Sequence, residues 1–147
     1  MKFISLLGKQ LKDDDVLDVL ESLEIEVVYD FDRLHENTPD KYWATCQKEG
    51  FCFRFDHNQV LQNIFLYVAP HEGFTPVARD CDVLFFSSAD EVERHGGAQN
   101  LRVSKGKRDF LGKRSDWVRL EHDGYSVHYE FTDQLTKVTL TKMPRSA

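Results

Sequence analysis

His128 and Glu130 stand two residues apart in "YSVHYEF", just after Arg119 in "DWVRLEHDG". With Arg54 from "FCFRFDH", they form a polar set of the kind that lines an enzyme or small-ligand pocket. Other chemistries have less to draw on. The histidines are His35, His57, His71, His95, His122 and His128. No two have the spacing of a helical zinc pair, and no Cys-x-x-Cys occurs, so no metal site is expected. A nucleophile elbow and a reactive-cysteine signature are both missing. The stretches "GKQLK" and "SKGKRDFLGK" lack the pattern of a phosphate-cradling loop. The run Asp13–Asp15 reads as a helix start, not a catalytic pair. No catalytic residue and no cofactor are therefore expected.

Charge and composition narrow the class further. The 147 residues are 41% hydrophobic and 12% aromatic, enough for a packed interior. The longest apolar runs, such as "NIFLYVA", are too short to span a bilayer, and the N-terminus lacks a secretory pattern. Three cysteines without framework spacing agree with a reducing compartment. The expectation is a cytoplasmic chain with no membrane association. The net charge is −6. Residues 1–101 carry 9 Lys/Arg against 19 Asp/Glu, and residues 102–147 carry 10 against 6. Between Asp13 and Asp40, 11 carboxylates face only Arg33. This balance argues against nucleic acid as a partner. It suits a basic protein partner, with Asp13, Asp14, Asp15 and Asp18 steering the encounter.

The elements that must position these side chains announce themselves twice. "YWATCQKEGFCFRFDHNQVL" begins at Tyr42 and "DWVRLEHDGYSVHYEFTDQL" at Asp116. An offset of 74 aligns Trp43 with Trp117, Gly50 with Gly124, Phe51 with Tyr125 and Leu61 with Leu135. Such an offset indicates duplication of a supersecondary unit. Each copy reads as a three-stranded meander. The strands are Tyr42–Lys48, Phe51–Asp56 and Leu61–Val68, then Asp116–His122, Tyr125–Phe131 and Leu135–Lys142. Asp123-Gly124 is a strong two-residue hairpin signal, and Glu49-Gly50 is its weaker counterpart. A helix precedes each meander. "DDDVLDVLESL" has helical apolar spacing with Asp13 as N-cap, and "SSADEVERHGG" offers a Ser88–Glu91 capping box with Gly96 as C-cap.

The fold expected is α+β: two tandem helix-plus-antiparallel-meander repeats forming one sheet layer with helices on one face. Residues 1–72 form repeat unit 1, 73–82 a linker and 83–147 repeat unit 2, together one compact domain. A strand is expected around Ile25–Phe31, a strand or extended entry at Asp82–Phe86, and a long loop at Leu101–Ser115.

The hairpin register then assigns faces. Tyr125, Val127, Tyr129 and Phe131 pack under the helices, as do Ala44, Cys46, Phe51, Phe53 and Phe55. The helix-free face carries Trp43, Phe65, Tyr67 and Trp117 amid Arg54, Arg119, His128 and Glu130. Aromatics mixed with Arg are the composition of binding hot spots. Cys46 and Cys52 fall on opposite faces, which excludes a disulfide between them.

The tandem unit of about 75 residues resembles the architecture of β-lactamase inhibitor proteins. Those also consist of two repeats and grip an enzyme with an aromatic-rich concave sheet. "SSADEVERHGG" is similar to the helix opening of outer-membrane assembly lipoproteins of the BamE type, with His95-Gly96 in place of Leu-Gly. "LLGKQLKDDDVLDVLESL" resembles small bacterial proteins, some of them immunity proteins encoded beside toxins. The resemblance implies a non-enzymatic inhibitor or immunity-type protein, bacterial, with a partner such as a basic toxin or nuclease. The alternatives are a ligand pocket lined by His128, Glu130, Arg119 and Arg54, or a structural subunit whose aromatics bury a homodimer interface. The chain is accordingly a monomer or a homodimer.

Overall fold

The computed structural model describes residues 1–145. It is an α+β fold built on one eight-stranded antiparallel sheet with few helices. The strands are β1 (Val27–Asp30), β2 (Lys41–Cys46), β3 (Phe51–Phe55), β4 (Leu61–Tyr67), β5 (Arg102–Phe110), β6 (Lys113–His122), β7 (Tyr125–Phe131) and β8 (Leu135–Lys142). Their order across the sheet is β1-β2-β3-β4-β8-β7-β6-β5. Each half is a meander, and the halves meet where β4 pairs with β8. The last two residues of the expected unit 83–147 lie outside the described residues.

The turns set the register. Asp123 and Gly124 close the β6–β7 hairpin, so Leu120 opposes Val127 and Val118 opposes Tyr129. The corresponding turn between β2 and β3 is longer than Glu49-Gly50 alone suggests. A 3₁₀ turn, Gln47–Glu49, leads into Gly50 at φ 74°. A Cβ on Gly50 would sit 2.2 Å from the Thr75 carbonyl oxygen, so both the left-handed backbone and the neighbouring chain require glycine there.

One face of the sheet is apolar over its centre. Phe53, Phe55, Ile64, Leu66, Val118, Leu120, Val138 and Leu140 are all buried on it. A β-bulge on β4 puts Gln62 between the pairs Arg54–Asn63 and Phe55–Leu61. A bulge on β8 puts Thr136 between Glu130–Lys137 and Phe131–Leu135. The extra residue lets Leu61 and Ile64, and likewise Leu135 and Val138, point to the same side.

Three helices cover this face. A short first helix, α1 (Phe3–Leu6), contributes Phe3 and Leu6. Helix α2 (Asp14–Ser22) starts at Asp13, whose carboxylate accepts the Asp15 N–H at 3.0 Å, and buries Val16 and Leu20. Helix α3 (Ala89–Ala98) starts at Ser88, whose hydroxyl accepts the Glu91 N–H. The Glu91 carboxylate turns back one residue further than a standard capping box, to the N–H and hydroxyl of Ser87.

Two expectations are corrected, and one of two alternatives is removed. Gly96 does not end α3, which continues to Ala98 with Gln99 as cap. Its role is packing: a Cβ there would lie 2.6 Å from Val103 Cγ2 and 2.7 Å from Leu120 Cδ2. The stretch Leu101–Ser115 is not a loop but the β5–β6 hairpin, turned by Leu111 and Gly112, both at positive φ. Asp82–Phe86 forms no strand. It is pinned instead by the Asp82 carboxylate, which accepts the Ile4 and Ser5 N–H groups, by the Leu84 carbonyl, which accepts the Tyr129 hydroxyl, and by the buried Val83. The segment after β4 is likewise irregular, with Val77 buried and one isolated bridge, His71–Phe74. No helix among the described residues is long and apolar enough to cross a membrane.

Two adjacent glycines of α3 should respond oppositely to alanine. Gly96→Ala overpacks the helix–sheet contact and should cost about 1–3 kcal/mol. A Cβ on Gly97 meets nothing within 4 Å, so Gly97→Ala should stabilise by up to about 1 kcal/mol through helix propensity. Urea denaturation of the two variants checks the contrast.

Candidate functional site

The helix-free face is laid out in rows by cross-strand pairing. One row runs Arg102, Glu121, Ser126, Thr141, Asn63, Arg54, Trp43, Val28 from β5 to β1. The middle row runs Ser104, Arg119, His128, Thr139, Phe65, Cys52, Thr45. The third runs Gly106, Trp117, Glu130, Lys137, Tyr67. Every residue expected on this face therefore lies on it.

They do not form one cluster. Strands β2 and β6 are five steps apart in the sheet order. At roughly 4.8 Å per step, Trp43 and Trp117 are separated by about 24 Å along the hydrogen-bonding direction. Two patches result.

In the first patch, Trp43 stacks on Phe65 with ring centroids 6.2 Å apart. Lys41 Nζ and the Arg54 guanidinium lie 5.7 and 6.0 Å from the indole. Arg54 donates to Asn63 Oδ1 at 2.9 Å, and Asn63 donates to the Thr141 hydroxyl at 3.0 Å. This chain of hydrogen bonds carries the β3 arginine across to β8. Lys137 Nζ sits 4.9 Å from the Phe65 ring and 5.5 Å from Tyr67. Tyr67 is itself flanked by Phe74 at 4.1 Å and His71 at 5.1 Å from the segment after β4.

In the second patch, Trp117 stacks on His128 at 5.1 Å with 23° between the planes. Glycine at position 106 makes room for the indole, since a Cβ there would fall 2.6 Å from Trp117 Nε1. Arg119 is held between Glu121 at 3.6 Å and the Met143 sulfur at 3.6 Å, while its Nε is buried without an acceptor among the described residues. A depression of about 300 Å³ opens beside His128. Its walls include Arg108, Arg119, Ser126, His128, Glu130 and Lys137. Arg54 is not among them, because β4 and β8 stand between β3 and β7. A cleft of about 390 Å³ lies elsewhere, between α3 and β5–β6, and of the expected residues only Trp117 reaches it.

Electrostatics divides the molecule by face. Lys41, Arg54, Arg102, Arg108, Lys113, Arg119 and Lys137 point outward from the sheet by register, against Asp30, Glu121 and Glu130. Seven cations against three carboxylates make this face basic in a chain of net charge −6. Asp14, Asp15 and Asp18, with Asp13 as their cap, belong to α2 on the opposite side. The carboxylates expected to steer a partner and the aromatics expected to hold it are thus separated by the sheet.

Burial pushes the His128 imidazole below its ordinary range. Glu130 opposes this, and Arg108, Arg119 and Lys137 reinforce it. Burial also lifts the Cys52 thiol, which lies 3.2 Å from the Thr45 hydroxyl. That is the setting of an inert thiol, not a nucleophile. Cys46 is buried on the helical side, so the two thiols do face apart. Among the described residues no group of three or more His, Cys, Asp or Glu could hold a metal ion.

Three residues of this face escape a reading of single strands: Lys137, Arg108 and Gly106. The first has a signal, since it stands 74 residues after Asn63 in the same outward alternation. Arg108 and Gly106 are visible only once β5 is known to be a strand.

The depressed imidazoles have a consequence for stability. An unfolded histidine titrates near 6.5. Burial lowers His128, and burial followed by His95 lowers His122. The unfolded chain then binds more protons just below that value, so stability is full above about pH 6.5 and declines as pH falls. Chemical denaturation at pH 7.5 and 5.5 should show this loss, and His128→Gln should reduce it.

No protein-family model, curated protein or solved structure matches this chain.

Proposed function

We propose that this chain is a non-enzymatic protein-binding module, of the inhibitor or immunity type, that docks its partner on the helix-free sheet face. The observation that carries the reading is an uncovered face where half-buried tryptophans stand among arginines and lysines. Trp43 with Phe65, and Trp117 with His128, are ready-made aromatic anchors at its two ends. Trp43 has cations above it, and Trp117 has its indole seated over glycine, so both side chains are ordered before a partner arrives.

A duplicated origin fits the same picture. The offset of 74 that links Trp43 to Trp117 also links the bulge residues Gln62 and Thr136. In this reading residues 1–72 and 83–147 are two copies of one unit, joined by 73–82 into a single domain with one anchor from each copy.

The charge layout favours a partner whose contact surface is acidic. A basic partner such as a nuclease toxin would find its complementary charge at α2, across the sheet from the anchors. The expectation that Asp13, Asp14, Asp15 and Asp18 steer a basic partner toward the aromatic face therefore loses force, because a spacing of about 10 Å between packed layers already exceeds the Debye length of about 8 Å at physiological salt.

A second reading is favoured by the depression beside His128, where a small ligand would meet Arg108, Arg119, Lys137 and Glu130.

Purification of the tagged protein from its native host supplies the partner for the test. Trp43→Ala and Trp117→Ala should each weaken binding by about 2 kcal/mol or more, roughly 30-fold. Unchanged affinity in both variants, with folding intact, would sink the assignment of this face.

A further inference from the structure

The depression beside His128 is built from three strands of the second half and the edge strand β5. Its cations are the side chains of Arg108, Arg119 and Lys137. Glu130 is the one carboxylate on its wall, and Ser126, Thr139 and Thr141 supply hydroxyls. A second carboxylate on this face, Glu121, is shared between Arg102 at 3.7 Å and Arg119 at 3.6 Å. Among the described residues neither Arg108 nor Lys137 has a carboxylate within ion-pair distance.

Three cations on one small concavity, with Glu130 beside them and Glu121 divided between Arg119 and Arg102, leave an excess of positive charge that an arriving anion would offset. The donors are also of the right kind. Arginine presents its N–H groups in a planar fork that matches a carboxylate or phosphate. Arg119 Nε is buried and has no acceptor among the described residues, and an unpaired buried donor is costly to leave so. The imidazole of His128, stacked on Trp117, lies on the wall of the same depression, within reach of an arriving anion.

We infer that this depression is an oxyanion site, taking a phosphate or carboxylate group among Arg108, Arg119 and Lys137. The inference rests on the small-ligand reading above and is independent of the docking of a protein partner. It narrows that reading to an anionic ligand. It also assigns the residues: the two arginines and Lys137 bind, the hydroxyls of Thr139 and Thr141 complete the donors, and Glu130 bounds the site and orients what enters.

The test is NMR on the isotope-labelled full chain, following the His128 ring and the Arg119 Nε–H. Sodium phosphate, sodium succinate and adenosine are the probes, each against sodium chloride at matched ionic strength. A saturable shift of both resonances by phosphate, by succinate or by both is the expected result, and which anion saturates first distinguishes the two sources of the charge. Lys137→Ala and Arg108→Ala should each weaken that binding about tenfold, and a variant that retains full anion affinity in both cases overturns the assignment. Saturation by uncharged adenosine with no response to either anion overturns the oxyanion site while leaving a ligand pocket standing. No response to any probe overturns both.

Discussion

Everything in this fold depends on one strand pair. β4 and β8 come from opposite halves of the chain, and their ladder from Asn63–Thr141 to Tyr67–Lys137 turns two four-stranded meanders into one sheet. The inward members of that ladder, Ile64 with Leu140 and Leu66 with Val138, are fully or almost fully buried at the centre of the core. The outward members include Phe65 and Lys137. The same backbone hydrogen bonds therefore join the halves, fill the middle of the interior and bring side chains from separate meanders into one surface. Cross-strand pairs contribute only about 0.2–1 kcal/mol each. Their weight here comes from the large apolar area that pairing forces inward at about 25 cal/mol per Å².

That seam explains why helices on one side suffice. A single sheet needs one dry face, and α1, α2 and α3 supply its cover with Phe3, Leu6, Val16, Leu20 and Val92. The other face remains partly wet, and its residues are ordered by one another. Trp43 leans on Phe65, Lys137 covers Phe65 and Tyr67, and Trp117 lies between His128 and the bare backbone of Gly106. An antiparallel sheet with an open face normally shows short polar side chains there. Here large rings stand in their place, which is the physical ground for reading this face as the functional one.

Much of this was legible in the amino-acid order because period-two alternation and turn chemistry are local. Asp123-Gly124 fixed which side Trp117, Arg119, His128 and Glu130 would take, and the alternation after Gly50 did the same for Arg54. What stayed illegible was non-local or lacked an apolar pattern. β5 reads "RVSKGKRDF", in which only Val103 packs against the core, so nothing marks it as a strand until β6 is there to pair with it. Gly96 carries the look of a helix end, yet its absence of a side chain serves the contact with Val103 and Leu120. The meeting of His128 with Arg108 needs β5 at the edge, and no spacing in the chain reveals that β8, expected beside β7, has β4 on its other side.

The two rims of the sheet are also unlike each other. From Glu24 to Asp40, around β1, six carboxylates face Arg33 alone; from Arg102 to Arg114, around β5, six cations face only Asp109. Acid at one rim and base at the other, seven strand steps apart, make the domain an electric dipole lying in the plane of its own sheet. Its average charge of −6 is thus a poor guide to how it meets a charged surface. Such a molecule turns before it touches: an anionic surface is approached with β5 leading and a cationic one with β1 leading, so that orientation on approach is decided by the polarity of the sheet more than by the sum of its charges.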